Sequence, residues 1–387
     1  MTPRFPASRL ADIAPFHVME LLSRAKALEA EGRDIIHMEV GEPDFGTPEP
    51  IIAAAQAHIA TGRVFYTPAL GLPELRSEIS SFYSSRYGIS VPASRIVVTS
   101  GASGALLLAM ACLAEPGSEW LLTDPGYPCN CNFVRSFEGV PVFIPVRAEN
   151  NFQPTLSDVD QHWNERTAGA LLASPANPTG TLLDDEVMAS IAGFVRQKGG
   201  RLIVDEIYHG LTYDRDASTA LQFGNDIFVV QSFSKYFNMT GWRLGWLVIP
   251  ECFIRDIEKL AQNFFIAPST PAQYAAMAAF QPPTITILEQ RRAEFRGRRD
   301  FLVAEIEKLG FRLEAKPEGA FYVYADCSAL TRDSYQFALD LLDSVGIATT
   351  PGLDFGSHAP KSHLRFAYTT SIGRMAQAVE RIHRFLG

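Results

Sequence analysis

Between residues 95 and 249 the chain repeats one pattern: a short apolar, β-rich run followed by a stretch with helical spacing. The runs are RIVVTS (95–100), EWLLTD (119–124), VPVFIPV (140–146), AGALLAS (168–174), RLIVDEIY (201–208), DIFVVQS (226–232) and RLGWLVI (243–249). GALLLAMACLA follows the first as a helix candidate. DDEVMASIAGFVRQKG follows the fourth, with Asp184 or Asp185 as its cap. Strands alternating with helices imply a mostly parallel sheet covered on both faces. In such sheets ligands gather at the carboxyl ends of the strands.

After residue 284 the character changes. TITILEQRRAEFRGRRDFLVAEIEKLG reads as a long charged amphipathic helix, and GFRLEA, GAFYVYAD and KSHLRFAY as short strands. RMAQAVERIHRFL reads as a last helix. The expected fold class is α/β: a large domain with a mostly parallel seven-stranded sheet sandwiched by helices, plus a smaller α+β domain from the N- and C-terminal segments. The expected boundaries are 1–45 for an N-terminal arm and part of the small domain, 46–283 for the large domain, and 284–387 for the small C-terminal domain.

Composition narrows the function classes. With 387 residues, 47% hydrophobic and 20% charged, the chain can bury a sizeable core. A net charge of −9 without a long basic run argues against a nucleic-acid partner. No apolar stretch is long enough for a membrane span, and the N-terminus lacks the features of a secretory signal. Five scattered cysteines do not form a disulfide framework. CNC at 129–131 has no second pair or nearby histidine to complete a zinc site, so no metal is expected. A reducing cytoplasm fits this cysteine usage.

Four short segments carry the chemistry. ASPANPTG ends a strand with Asn177. VDEIY ends a strand with Asp205, then Tyr208. SFSK follows a strand with Ser232 and Lys235, and GWRLG carries Arg243 eight residues beyond that lysine. Each has a structural reading: a turn asparagine, a helix-capping aspartate, a lysine with a buried stem, a surface-paired arginine. Together they match the needs of pyridoxal phosphate. A lysine amine captures its aldehyde as a Schiff base. A carboxylate, Asp205, keeps its pyridine nitrogen protonated. Asn177 and Tyr208 suit its phenolic oxygen, and Arg243 and Ser232 its phosphate.

The chain resembles the fold-type I, class I/II aminotransferases, the aspartate aminotransferase superfamily. The likeness runs through GEPDF (41–45), YTPALGLPELR from Tyr66, TSGASGAL, DPGYP, NPTG, DEIY, SFSKYFNMTGWRLGW and HLRFAY. It implies that Lys235 is the Schiff-base lysine and, once displaced, the proton shuttle, with Asp205 and Tyr208 as its catalytic companions. Backbone N–H groups near Gly101, Ala102 and Ser103 would face the phosphate at a helix N-terminus. Tyr127 would stack on the ring, and Tyr66 would cross to the neighbouring active site of a homodimer. Arg365 would clamp the substrate α-carboxylate, helped by Gly41 and Asn177. The implied reaction moves the amino group of an L-amino acid to a 2-oxo acid in two ping-pong halves.

Side-chain specificity is less legible. Some dicarboxylate-using relatives carry a basic residue where this chain has Ser103, which weakens an aspartate substrate held by that route. Phe16, Val18, Phe264 and Phe265 are candidates for a neutral or aromatic pocket, or for core. The same lysine and aspartate suit a C–S β-lyase. A regulatory module would need a fused basic DNA-binding region, and a Rossmann dehydrogenase a G-x-G-x-x-G turn; neither is present.

Overall fold

The structure, a computed structural model, describes residues 7–13 and 17–387. Its strands, in chain order, are β1 (Ile36–His37), β2 (Ile96–Thr99), β3 (Glu119–Asp124), β4 (Val140–Pro145), β5 (Thr167–Ala173) and β6 (Arg201–Asp205). Then come β7 (Phe228–Ser232), β8 (Gly245–Val248), β9 (Tyr322–Asp326), β10 (Ile347–Ala348), β11 (Thr350–Pro351) and β12 (His363–Ala367). Seven of them form the central sheet, in the order β2-β8-β7-β6-β5-β3-β4. All pairings there are parallel except those of β8, which runs against both β2 and β7. The seven strand-like runs are therefore the seven strands, one of them reversed.

Successive residues of the central strands feed opposite layers. Leu202 and Val204 face one core and Ile203 the other; Val229 faces the first and Phe228 and Val230 the second. Helix Gly101–Leu113 covers the second face with Ala105, Leu106, Ala109 and Met110. Helix Asp185–Gln197 covers the first with Met188, Ile191 and Val195. Each buried leucine, isoleucine, valine or methionine among these contributes roughly 1.5–3 kcal/mol, and each alanine less. Asp184 sits at the N-cap position of the second helix, but its carboxylate accepts no cap hydrogen bond. It pairs instead with Arg215 at 2.8 Å. The outermost strand, β4, contains Pro141 and Pro145, which an edge tolerates because a missing N–H there breaks no inner ladder.

The C-terminal region builds its own three-stranded antiparallel sheet, β11-β12-β9, against helices Pro282–Ile306 and Ser334–Val345. β1, from the N-terminal segment, pairs with β10. GFRLEA does not form a strand: only Arg312 bridges to Asp326. Pro317, downstream, lacks the N–H that a longer ladder would use. No helix among the described residues is long and apolar enough to cross a membrane.

Candidate active site

The parallel strands deliver their carboxyl ends to one edge of the sheet. Asp205 is the last residue of β6. Lys235 lies three residues past β7, Asn177 four past β5, Tyr127 three past β3 and Ala102 three past β2. β8 is reversed, so its start lies at the same edge, and Arg243 two residues before it joins the others. These residues, with Gly41, Ser103, Tyr208, Ser232 and Arg365, line one cavity of about 260 Å³.

Lys235 donates from Nζ to the Gly41 carbonyl at 2.6 Å, and the nitrogen lies 5.7 and 5.6 Å from the ring centres of Tyr208 and Phe321. It meets solvent only partly, among apolar ring faces. Burial pushes its ammonium down to about 8, and the positive charge of Arg365 and Arg243 adds to this against the pull of Glu42 and Asp205. Asp205 is 5% exposed and accepts from the Ile207 N–H at 3.1 Å. Burial pushes its carboxyl up to about 6, against that N–H and the Lys235 charge. Tyr208 shares a 2.9 Å hydrogen bond with the Tyr322 hydroxyl.

Helix Gly101–Leu113 starts at this edge. Its N-cap residue, Ser100, makes no side-chain cap bond, so the first-turn N–H groups at Ala102 and Ser103 keep their donor capacity toward the cavity. Gly101 does not line the cavity itself. Its φ of +71° suits glycine, and a Cβ there would lie 2.5 Å from an Arg243 nitrogen. The glycine thus lets the guanidinium lie against the helix start. Arg243 Nη1 also donates to the Thr240 carbonyl at 3.0 Å.

Arg365 is 4% exposed, on β12. Nη1 donates to Asn177 Oδ1 at 2.9 Å, and Nη2 to the Glu39 carbonyl and to Thr350 Oγ1. Its guanidinium carbon stands 4.3 Å from the Tyr322 ring centre and 4.9 Å from that of Phe355. The buried Nε has no partner. A Cβ at residue 41 would run into the Tyr322 hydroxyl, so glycine there leaves room for that ring beside the arginine.

Tyr66 is outside the cavity and 82% exposed. Phe264 is 48% exposed and Phe265 packs against the second core; neither lines the cavity, whereas Val18 does. Phe16 lies outside the described residues. The structure adds Tyr322, Thr350 and Phe355 to the surroundings of Arg365. In GAFYVYAD the alternation identified a strand, but nothing in the spacing set Tyr322 apart. Cys129 and Cys131 stand on helix Cys129–Ser136, and Cys131 donates to the Pro128 carbonyl. Among the described residues no group of three or more His, Cys, Asp or Glu is placed to hold a metal ion.

A largely buried amine, a buried carboxyl, an uncapped helix start and a stacked arginine meet at one edge of the α/β sheet, an arrangement suited to an enzyme of amino-group transfer. Comparison with known proteins shows that activity for the family. The family model for aminotransferase class I and II matches residues 33–382. The chain is 38% identical to the valine–pyruvate aminotransferase of Mycobacterium tuberculosis over 381 residues, 97% of both chains. It is 34% identical to the (5-formylfuran-3-yl)methyl phosphate transaminase of Methanocaldococcus jannaschii, over 98% of this chain and 99% of that one. A crystal structure of an aminotransferase from Mycobacterium tuberculosis superposes with a TM-score of 0.96 at 38% identity, covering 99% of each chain. The chain belongs to the class I and II aminotransferase family and is a transaminase.

Proposed function

We propose that this transaminase carries pyridoxal phosphate covalently on Lys235 and moves the amino group of an L-amino acid with a neutral side chain to a 2-oxo acid. The observation that carries this reading is a buried, acidified lysine amine and a buried carboxyl opening on the same cavity. The residues fit the cofactor: an uncapped helix start and Arg243 for a phosphate, and an unpartnered Arg365 Nε for an incoming carboxylate.

The cofactor, when bound, supplies an electron sink for the bond that breaks at the α-carbon. Lys235, with its pKa near 8, moves the α-proton as base and then as acid. Asp205 would keep a proton at the ring nitrogen by its negative charge. Tyr208 and Asn177 would serve the phenolic oxygen, and Tyr127 the ring. The N–H groups of Ala102 and Ser103, with Ser232 and Arg243, would hold the phosphate. Arg365 takes the α-carboxylate, aided by Asn177 and by the Gly41 backbone. In this reading residues 46–283 carry the cofactor, while 1–45 and 284–387 supply Gly41 and Arg365.

The donor class follows from the remaining walls. Val18, Met19, Leu106 and Ile207 are apolar, and the lysine and arginines among the described lining residues, Lys235, Arg243 and Arg365, already have roles. The valine–pyruvate specificity named for the Mycobacterium tuberculosis relative is of this kind. With valine or alanine alone, the holoenzyme is expected to release one equivalent of 2-oxo acid per site and no ammonia. Added 2-oxoglutarate then restores turnover with either donor, and added pyruvate does so with valine. Continuous ammonia release, or a strong preference for aspartate, contradicts the reading.

A homodimer completes it. Phe65 and Tyr66 are 71% and 82% exposed, and Thr270 Oγ1 holds their segment through the Phe65 carbonyl at 2.6 Å. Phe264 and Ile266, close in sequence to Thr270, are also exposed. This surface supports an interface from which Tyr66 reaches the neighbouring phosphate site. Sedimentation is expected to give twice the chain mass; a fully active monomer contradicts it.

A further inference from the structure

Asp354 lies far in sequence from helix His17–Ala30, yet it holds that helix as one wall of the cavity. It is 7% exposed, in the turn Gly352–Asp354 that follows β11. Its Oδ1 accepts from the main-chain N–H of His17 at 2.9 Å and its Oδ2 from that of Val18 at 2.7 Å. Both N–H groups belong to the opening turn of the described helix His17–Ala30, where backbone donors are left for partners outside the helix. The carboxylate therefore caps that helix from across the chain, where its negative charge also meets the positive end of the helix dipole.

The capped end is the part of the helix that reaches the cavity. Val18 and Met19 both line it. The turn carrying Asp354 is tied to the rest of the site on either side. Thr350, at its start, accepts from Arg365 and donates to the Glu39 carbonyl at 2.9 Å. Phe355, at its end, lies against the Arg365 guanidinium, and its carbonyl accepts from the N–H of Gly126, next to Tyr127, at 2.8 Å. One short segment thus fixes the carboxylate-binding arginine, the turn bearing Tyr127, and the apolar wall at Val18 relative to one another.

We infer that Asp354 is a positioning residue for side-chain selectivity: by capping helix His17–Ala30 it sets the distance between the Val18–Met19 wall and Arg365. This rests on the transaminase reading, in which Arg365 fixes the α-carboxylate and the side chain falls against the apolar wall. Losing the cap lets the wall retreat. Contact with a branched side chain then weakens more than contact with a methyl.

The test compares kcat/KM for valine and for alanine, with 2-oxoglutarate as the common acceptor, in wild type, Asp354→Ala, Asp354→Asn and Val18→Ala. The valine-to-alanine ratio is expected to fall about tenfold in Asp354→Ala, the scale of a lost methylene contact in an apolar pocket. Val18→Ala should shift it in the same direction, and the double variant little further, because the two act on one wall. Hydrogen exchange at the first turn of helix His17–Ala30 should quicken in Asp354→Ala. Should that variant not fold, Asp354→Asn, which keeps one acceptor, should give a smaller fall in the ratio. An unchanged ratio, or equal losses for both donors, overturns the inference. A wild-type enzyme that transaminates neither donor would overturn the reading beneath it instead.

Discussion

Replacing Lys235 with alanine is expected to lower kcat by roughly ten-thousand-fold or more, the upper range for loss of a positioned acid–base group, with covalent anchoring lost as well. The protein should still fold. Among the described residues Lys235 makes one side-chain hydrogen bond, to the Gly41 carbonyl, and its burial already disfavours the charged form. Lys235→Arg should fail as completely, since a guanidinium cannot act as a base at neutral pH. A small amine such as methylamine should restore part of the Lys235→Ala activity. Steady-state assay with and without the amine is the check. Turnover within tenfold of wild type would remove the lysine from the chemistry.

Asp205→Asn should cost roughly a thousand-fold in kcat, the scale of removing one preorganised electrostatic partner. The amide has no charge with which to keep a proton on the ring nitrogen. The same substitution should have the opposite effect on the stability of the apoprotein. Burial raises the Asp205 carboxyl from its ordinary 3.8 to about 6 in the folded state, so the fold favours the protonated form. Below pH 4 both states are protonated and the group is neutral in effect. Between pH 4 and 6 the unfolded chain ionises first. Above pH 6 the folded protein bears the full penalty, on the order of 3 kcal/mol. Apo Asp205→Asn should therefore be more resistant to denaturant than apo wild type at pH 7, with the difference vanishing near pH 4. Equal stability at both pH values would mean that Asp205 is not desolvated.

The legible part of the site was the part written in strand ends. Asp205, Asn177 and Lys235 each fall within a few residues of an apolar run, and a parallel sheet brings such positions to one edge whatever the loops do. Arg243 was harder, because it precedes its strand. Only the reversal of β8 returns it to that edge, and an apolar run has the same composition in either direction. GFRLEA looked like a strand because local pattern says nothing about a partner, and only Arg312 has one. Asp184 looked like a cap, but Arg215, thirty-one residues later, takes its carboxylate.

Contacts between distant segments were invisible. Thr350 and Phe355 act on Arg365 through a turn whose sequence, TPGLDF, carries no chemical signature. Asp354 caps a helix more than three hundred residues earlier, so no local capping pattern could reveal it. Phe264 was legible as an apolar residue, but its solvent exposure is a property of the folded surface; Tyr66 stood out only through the family resemblance. Residues proposed to serve the cofactor sit in dense local motifs, whereas those proposed to shape the substrate pocket come from separate elements and meet only in three dimensions.

The central claim is that the amine of Lys235 and the carboxyl of Asp205 address opposite sides of one bound ring. Borohydride reduction of the holoenzyme followed by peptide mapping tests it most directly. The account predicts a single stable adduct, one per chain, on the peptide containing SFSKYF, with the visible absorption lost in the same step. An adduct on another lysine, or a purified protein that takes up no pyridoxal phosphate, would contradict it.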